Sequence, residues 1–257
     1  MRRILFVLGS VLLITTMVMA SSFVLASEKP SAGHEWSYEG EHGPVHWGDV
    51  KSDYAMCKTG GNQSPIDITS SEAADLPPIQ FAYQPAQLKI INNGHTIQIN
   101  YAEGSSISID GKTYQLVQFH FHHPSEERIK GKGFDMVAHL VHKNAEGNLA
   151  VVAVLIKKGQ ANKFIETLWA HLPKEEGKEE APANVRIDIT SLLPAQRGYY
   201  TYTGSLTTPP CSEGVTWLVL KTPVEVSNAQ IQKFAHIYKN NARPIQPLNN
   251  RVISESR

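Results

Sequence analysis

The chain lacks the charge that a nucleic-acid-binding protein requires. Its 24 Lys and Arg side chains equal its 24 Asp and Glu side chains, so the formal net charge is zero. Without Arg2 and Arg3, which precede an apolar leader, 22 basic and 24 acidic side chains remain, a charge near −2. Nucleic-acid binders carry a basic face or stripe. We therefore exclude nucleic acid as a partner.

Long apolar runs are also absent after the first 26 residues. Arg2 and Arg3 precede the mostly apolar stretch 4–26, which ends in Val24-Leu25-Ala26. This order predicts a signal peptide that is cleaved after Ala26. An uncleaved anchor is the alternative, since about 20 apolar residues span a bilayer, but Ser and Thr interrupt this stretch. We expect residues 27–257 to be periplasmic or secreted, with membrane contact only through an uncleaved leader.

Cysteine is scarce, and its spacing excludes a thiolate metal site. The chain has two cysteines, Cys57 and Cys211, and no CxxC motif. In an oxidising compartment an even pair predicts one disulfide. A bridge across so long a loop would stabilise the fold by roughly 4–5 kcal/mol in the chain-entropy model. Two buried free thiols are the alternative.

Short alternating apolar runs dominate the rest of the chain, with Pro or Gly every ten to fifteen residues and no internal repeat. Such runs predict strands, and turn signals such as Asn92-Asn93-Gly94 and Asp110-Gly111 bound several of them. Helical spacing appears at 162–171 and 227–238, with a short helical turn at 188–193. The sequence therefore predicts one mainly antiparallel β domain with peripheral helices. The predicted strands are 88–91, 96–101, 106–109, 114–122, 134–142, 150–157, 199–204 and 215–220.

Three histidines have the spacing of a metal site. His120 and His122 lie two residues apart in one predicted strand, so their side chains leave the same face. His139 lies in the next apolar run, and antiparallel pairing would bring it to the same point. Three neutral imidazoles leave a fourth tetrahedral position open, which is typical of a catalytic zinc site. Such a zinc lowers the pKa of bound water from 15.7 to about 7.

Packed or surface histidines are the alternative interpretation of this pattern. His-x-His occurs by chance in many chains, and the convergence of His139 depends on an inferred strand pairing. His123 and His142 lie on the opposite faces of the same two strands. We predict that neither binds the metal.

These residues, together with further motifs in the same order, resemble the alpha-class carbonic anhydrases, in particular their exported bacterial branch. The resemblance covers nearly all of the mature chain, and its specificity comes from the order and spacing of the motifs. The matching segments are Trp36-Ser37-Tyr38, 43–47, 63–67, Asn92-Asn93-Gly94-His95, 118–122, Ser125-Glu126, His139, 205–211, Trp217, 241–244 and 246–248.

The resemblance implies a central, twisted, mostly antiparallel sheet of about ten strands, with a conical cleft that reaches a zinc ion. It also implies a single catalytic domain over residues 27–257. The Cys57–Cys211 bridge is common in exported relatives and would fix the loop beside Thr207.

The same resemblance implies reversible hydration of carbon dioxide to bicarbonate by zinc-bound hydroxide. The implied zinc ligands are His120, His122 and His139. The Thr207 hydroxyl would accept a hydrogen bond from the hydroxide and donate one to Glu126. His95 would carry the proton away, since the unperturbed pKa of histidine is about 6.5, and its place in a turn predicts an exposed, mobile side chain.

The remaining site residues are implied in the same way. An apolar wall would hold carbon dioxide, Thr208 would help to bind bicarbonate, and Tyr38 and Asn93 would order the water between His95 and the zinc. Gln118 would contact His120, and His122 would donate to a backbone carbonyl near Asn241. The implied wall residues are Val141, Val151, Leu206 and Trp217.

Two positions depart from the family pattern. Val137 stands where relatives generally have a glutamate that accepts a hydrogen bond from the third zinc histidine, and Glu127 stands where they commonly have histidine. Loss of a hydrogen-bond partner of a metal-binding histidine typically lowers metal affinity or activity 10–100-fold. Unless another group substitutes, His139 loses its orienting partner. The sequence therefore predicts weaker zinc binding, and tighter binding in Val137→Glu.

Two rival functions follow from the same residues. The apolar wall permits weak hydrolysis of esters by the same hydroxide, as a side reaction. The other rival is a catalytically silent, carbonic-anhydrase-like zinc-binding module. Only Val137 favours it, because the chain keeps all three zinc histidines, one of which such modules typically lose. Related exported enzymes are often dimers, so a homodimer is a further expectation.

Overall fold

The computed structural model describes residues 34–257. The predicted leader, its cleavage site and the start of the mature chain lie outside the described residues. Within residues 34–257, no helix is both long and apolar enough to cross a membrane.

Seventeen strands and a few short helices make up the described part of the chain. The helices are α1 Trp47–Val50, α2 Met56–Thr59, α3 Lys163–Trp169 and α4 Asn228–Ala235, with 3-10 turns at Gly40–His42, Ser52–Tyr54 and Ile189–Leu192. The strands are β1 Asp67–Ile68, β2 Glu72–Ala74, β3 Gln80–Ala82, β4 Ala86–Gln87, β5 Ile90–Asn92, β6 Ile97–Asn100, β7 Ser106–Ile109, β8 Lys112–His122, β9 Arg128–Ile129, β10 Met136–Lys143, β11 Leu149–Lys158, β12 Glu179–Glu180, β13 Arg186–Ile187, β14 Tyr199–Ser205, β15 Glu213–Leu220, β16 Val224–Val226 and β17 Ser254–Ser256.

Thirteen of these strands form one large mixed sheet. Ten lie along a single path, in the order β12-β5-β6-β8-β10-β11-β15-β14-β17-β2, and β3, β7 and β16 pair beside it. The long pairs β8·β10, β10·β11 and β14·β15 are antiparallel, while β11·β15, β11·β16 and β17·β2 are parallel. The mainly β fold class is confirmed, and the sheet is larger and more mixed than the sequence predicts.

The central strands are covered on both faces. All residues from Met136 to Leu140 in β10, and from Ala150 to Ile156 in β11, are buried. One face of the sheet packs against α3 and α4, where the Phe121 ring meets Trp169 with centroids 5.0 Å apart. The other face carries a second apolar cluster that includes Val137, Val151 and Trp217. The histidine site lies beside this second cluster.

Both predicted helices form, and each begins at a side-chain cap. Asn162 accepts hydrogen bonds from the backbone N–H groups of Phe164 and Ile165 at the start of α3. Ser227 and Gln230 make a reciprocal capping box at the start of α4. Such caps satisfy N–H groups that have no partner inside the helix. The predicted turn at 188–193 is the 3-10 turn Ile189–Leu192.

Candidate metal centre and active site

Strand register brings the three histidines together. In the antiparallel pair β8·β10, His139 lies directly opposite His120, and Val137 lies opposite His122. His120 and His122 share a face because side chains alternate along a strand. Each of the three rings offers one nitrogen, and these nitrogens lie within 4.8 Å of one another. The predicted convergence of the histidines is confirmed.

The other nitrogen of each ring is held by a protein oxygen. His120 Nδ1 donates to Gln118 Oε1 at 2.8 Å, and His122 Nδ1 donates to the Asn241 carbonyl at 2.7 Å. His139 Nε2 donates to Glu127 Oε1 at 2.9 Å. These bonds fix the tautomers and leave the lone pairs of two Nε2 atoms and one Nδ1 atom facing each other. His122 Nε2 is buried and has no hydrogen-bond partner among the described residues, which is what a metal ligand requires.

Electrostatics favour neutral rings at two of the three positions. Burial, and then the neighbouring His139, lowers the pKa of His120 to about 3, and the same causes lower the pKa of His122 well below its usual value. Burial also lowers the pKa of His139, but the charges of Glu127 and Glu126 raise it overall. Protons therefore compete with a metal mainly at His139 Nδ1, and acid should weaken binding.

The structure corrects the expectation that His139 has no orienting partner. Val137 is fully buried among apolar side chains and accepts nothing. Glu127, which is also fully buried, supplies the acceptor from the turn that follows β8. Glu127 therefore makes the hydrogen bond to His139 that Val137 cannot make. The reason for predicting weak zinc binding in the unaltered chain is removed.

Glu126 lies directly behind the histidines. Its Oε1 atom accepts from the backbone N–H of Arg243 at 2.8 Å, while Oε2 is buried without a partner among residues 34–257. Burial raises the pKa of Glu126 to about 7; His139 lowers it, Glu127 raises it, and Thr207 and the Arg243 N–H lower it. The carboxylate thus keeps one free acceptor atom beside Thr207.

The side chains of Asn241 and Arg243 hold the site together, although the sequence predicts a role only for a backbone carbonyl near Asn241. The Asn241 amide donates to the carbonyls of Phe121 and His95, at 2.9 and 3.0 Å, and its Oδ1 accepts from the backbone N–H of His123 at 2.8 Å. Their only signal in the sequence is the matching segment 241–244. Arg243 donates to three oxygens, which belong to Gln63, Ser64 and Cys57.

The predicted wall residues form a row across the sheet. Strand register aligns Gln118 with Val141, Val141 with Val151, and Val151 with Trp217. Val151 and Trp217 are buried, whereas Val141 is partly exposed. Along each strand, this row lies two residues from the row that contains His120 and His139, and therefore on the same face of the sheet. An apolar surface thus adjoins the histidines.

The segment after β14 completes this wall. Leu206 and Thr208 are partly exposed and Thr207 is buried. The Thr208 carbonyl accepts from the backbone N–H of Cys211 at 2.9 Å. Cys211 is joined to Cys57 of α2 by the predicted disulfide, which is confirmed. The bridge thereby fixes the loop that carries Thr207.

His95 differs from the exposed side chain that its turn predicts. Its ring is stacked on Trp36, with centroids 3.6 Å apart and an interplanar angle of 7°, and the His34 ring meets it in a T-shaped arrangement with centroids 4.5 Å apart. Burial and the neighbouring His34 lower the pKa of His95 to about 4. The ring is half-buried and neutral at physiological pH in this position.

The other members of the predicted water network lie near this stack. Asn93 Oδ1 accepts from the backbone N–H groups of His95 and Thr96 at 3.0 and 2.9 Å, so it shapes the turn. Tyr38 packs against Trp36 and Trp47. Burial, and then the charge of Glu126, raises the pKa of Tyr38 well above its usual value.

The two histidines predicted to be non-ligands lie outside the cluster. His142 Nε2 is hydrogen-bonded to the Tyr83 hydroxyl at 2.8 Å within the core. His123 Nδ1 donates to the Lys239 carbonyl at 2.8 Å. Neither belongs to the group of three that could hold an ion.

Comparison with known proteins gives concordant matches over most of the chain. Residues 42–257 match the family described as eukaryotic-type carbonic anhydrase. A carbonic anhydrase of Klebsiella pneumoniae is 47% identical over 223 residues, which is 86% of this chain and 90% of the relative. A hyperthermostable carbonic anhydrase from a hydrothermal vent chimney superposes with a TM-score of 0.84 at 50% identity, covering 86% of this chain and all of the other. The enzyme of Thermovibrio ammonificans, solved with the inhibitor sulfanilamide, gives 0.83 at 46% identity, covering 86% and 99%.

Proposed function

The chain belongs to the eukaryotic-type, or alpha, carbonic anhydrase family and is an enzyme of that family, and we propose that it hydrates carbon dioxide reversibly with one zinc ion. One observation carries the proposal. Three histidine nitrogens face one point, and the opposite nitrogen of each ring is held by a protein acceptor.

The donor set suits zinc. Three imidazole nitrogens with one position left for water are typical of catalytic zinc sites. When bound, zinc acts as a Lewis acid that makes hydroxide available from water near neutral pH. His120, His122 and His139 would hold it.

Thr207 and Glu126 would orient the nucleophile. The Arg243 N–H occupies Glu126 Oε1, so Oε2 is the atom that can accept from the Thr207 hydroxyl. A hydroxyl that donates to Glu126 must present a lone pair on its other side. Thr207 would then accept a hydrogen bond from the reacting hydroxide, which keeps its hydrogen and directs its attacking lone pair toward the carbon of the substrate.

The apolar row would hold the substrate. Carbon dioxide has no net charge and no hydrogen to donate, so a surface of Val141, Val151, Leu206 and Trp217 binds it without leaving polar groups unpaired. The product is an anion with a hydroxyl group. Thr208, at the partly exposed edge of this surface, would hydrogen-bond to bicarbonate.

His95 would carry the proton out of the site. In the stack on Trp36 its low proton affinity makes it a poor acceptor, because burial disfavours the charged ring. Rotation away from the stack would expose the ring and bring its pKa back toward about 6.5. Tyr38 and Asn93 would order the water between His95 and the reaction centre.

The two rival functions have weaker support. Ester hydrolysis would use the same residues and remains a side reaction. The silent-module hypothesis depended on a missing partner for His139, and Glu127 provides that partner.

The test is stopped-flow carbon dioxide hydration on purified mature protein, with zinc content measured before and after zinc is added. We expect turnover that requires one zinc per chain. His120→Ala should abolish both zinc binding and turnover, while His123→Ala, a histidine three residues along the same chain segment, is the matched control. Full zinc content without hydration would overturn the proposal and favour a binding module.

We further propose that the protein is exported. The disulfide supports an oxidising compartment, and the relative from Klebsiella pneumoniae is bacterial. Mass spectrometry of protein recovered from the periplasm or medium should find an N-terminus at Ser27. A chain that starts at Met1 in the membrane fraction would instead indicate an anchor.

A further inference from the structure

We propose that Glu127 is the positioning residue that orients His139 for the metal, a role that the apolar Val137, two residues before His139 on β10, cannot fill. The inference deepens the proposed function, because the ion it concerns is the proposed zinc. Glu127 does not itself touch the reacting atoms. It acts through the ring of His139.

The contact has the geometry that this role requires. Glu127 Oε1 lies 2.9 Å from His139 Nε2, and the exposed fractions of the two side chains are 0% and 2%. A carboxylate can only accept, so His139 Nε2 carries the proton and Nδ1 keeps its lone pair. Nδ1 is the His139 atom that faces the other two rings. A carboxylate on the far nitrogen also makes a metal-bound imidazole a stronger ligand.

The turn that carries Glu127 is tied through Ser125 to the segment that precedes β10. The Ser125 hydroxyl donates to the Glu127 carbonyl at 2.9 Å and accepts from the backbone N–H of Phe134 at 2.8 Å. The backbone N–H of Ser125 donates to the Phe134 carbonyl at 3.1 Å. The acceptor therefore reaches His139 from a held segment next to β10 rather than from β10 itself.

Among the described residues, His139 is the only hydrogen-bonding partner of the Glu127 carboxylate. Its second oxygen, Oε2, is buried and has none. The guanidinium of Arg243, whose backbone N–H donates to the neighbouring Glu126, is directed to Gln63, Ser64 and Cys57. A buried carboxylate is costly unless it is paired, so a structural role that does not involve His139 would leave this group uncompensated.

The same geometry accounts for an apolar residue at position 137. Val137 precedes His139 by two residues on β10, so their side chains leave the same face of the strand. A glutamate there would compete with Glu127 for one donor, His139 Nε2. With an acceptor already present at 127, an apolar residue at 137 is the compatible partner.

The test measures zinc and cobalt binding by the metal-free full chain, by competition with a chelator. Glu127→Ala should weaken zinc binding about 10–100-fold. Glu127→Gln should weaken it less, because an amide oxygen still accepts. The double variant Glu127→His/Val137→Glu moves the carboxylate to position 137, on the same face of β10 as His139, and should recover most of the affinity lost in Glu127→Ala. The visible spectrum of bound Co²⁺ should change in Glu127→Ala and return in the double variant.

Three results would overturn the inference: unchanged zinc affinity in Glu127→Ala, an unchanged cobalt spectrum, or a double variant as weak as Glu127→Ala. Urea unfolding of each metal-free variant separates misfolding from loss of positioning, and Glu127→Gln, which keeps the size of the side chain, serves if the alanine variant does not fold. If the unaltered chain binds no zinc, the proposed function fails. If it binds zinc tightly and Glu127→Ala does so equally, only this inference fails.

Discussion

Val137→Glu should destabilise the protein and weaken its metal site, although comparison with relatives at that position alone predicts the opposite. Val137 has no exposed surface and belongs to an apolar cluster. The new carboxylate would point toward His139, whose Nε2 proton is already donated to Glu127. Two buried carboxylates would then share a single donor.

The expected loss can be worked out from this arrangement. A buried charge left without its partner typically costs about 3–5 kcal/mol. For a domain of 150–250 residues, 1 kcal/mol corresponds to about 2–4 °C in melting temperature, so the metal-free variant should melt roughly 6–20 °C lower. Val137→Gln is the matched control, since glutamine has nearly the same shape as glutamate but no charge. This variant should lose less stability than Val137→Glu.

The loss of folding stability in Val137→Glu should also depend on pH. Burial beside Glu127 raises the pKa of the new carboxyl above its unfolded value of about 4.3. The folded state then binds the proton more tightly than the unfolded state, so stability falls as pH rises between these two pKa values. Denaturant unfolding at pH 5 and pH 8 should show the larger deficit at pH 8. Equal stability at both pH values, together with tighter zinc binding, would refute the reasoning.

Three further expectations concern other parts of the site. Cys57→Ser/Cys211→Ser should lower the free energy of unfolding by about 5 kcal/mol in the chain-entropy model, since the bridge spans 154 residues; denaturant titration measures this, and a change under about 1 kcal/mol would contradict it. His95→Ala should slow hydration in dilute buffer, with recovery on addition of imidazole, and failure to recover would argue against the shuttle. Glu126→Gln should reduce turnover while zinc content stays at one per chain; unchanged turnover would remove Glu126 from the mechanism.

Much of the core of the fold could be predicted because its strands are long and strongly patterned. β8, β10, β11, β14 and β15 each overlap a predicted run, and their pairing brings the histidines together as the spacing indicates. The sequence does not predict very short strands such as β1 and β9, because a segment of two residues shows no alternation of apolar and polar side chains. Their pairing depends on distant neighbours rather than on local sequence.

The site shows the same division. Two histidines two residues apart in a strand predict side chains on one face. No local sequence pattern predicts the contact between Glu127 and His139, which lie twelve residues apart. From the sequence alone, Val137 therefore predicts a lost hydrogen bond to His139, and Glu127 has no predicted partner. Likewise, the stack of His95 on Trp36 joins two distant segments, so a turn signal alone could not predict that the ring is half-buried.

The hydrogen bonds of Asn241 have a consequence for the order of folding. The carbonyl that holds His122 comes from a residue 119 positions further along the chain, and the same side chain fastens the end of β8 to the turn of His95. Contacts of such long sequence separation form late, since the closure of long loops must precede them. The hairpin of β8 and β10 can therefore form before the ring of His122 is fixed by the Asn241 carbonyl. The proposed zinc ion would then be held firmly only after the segment around Asn241 has docked.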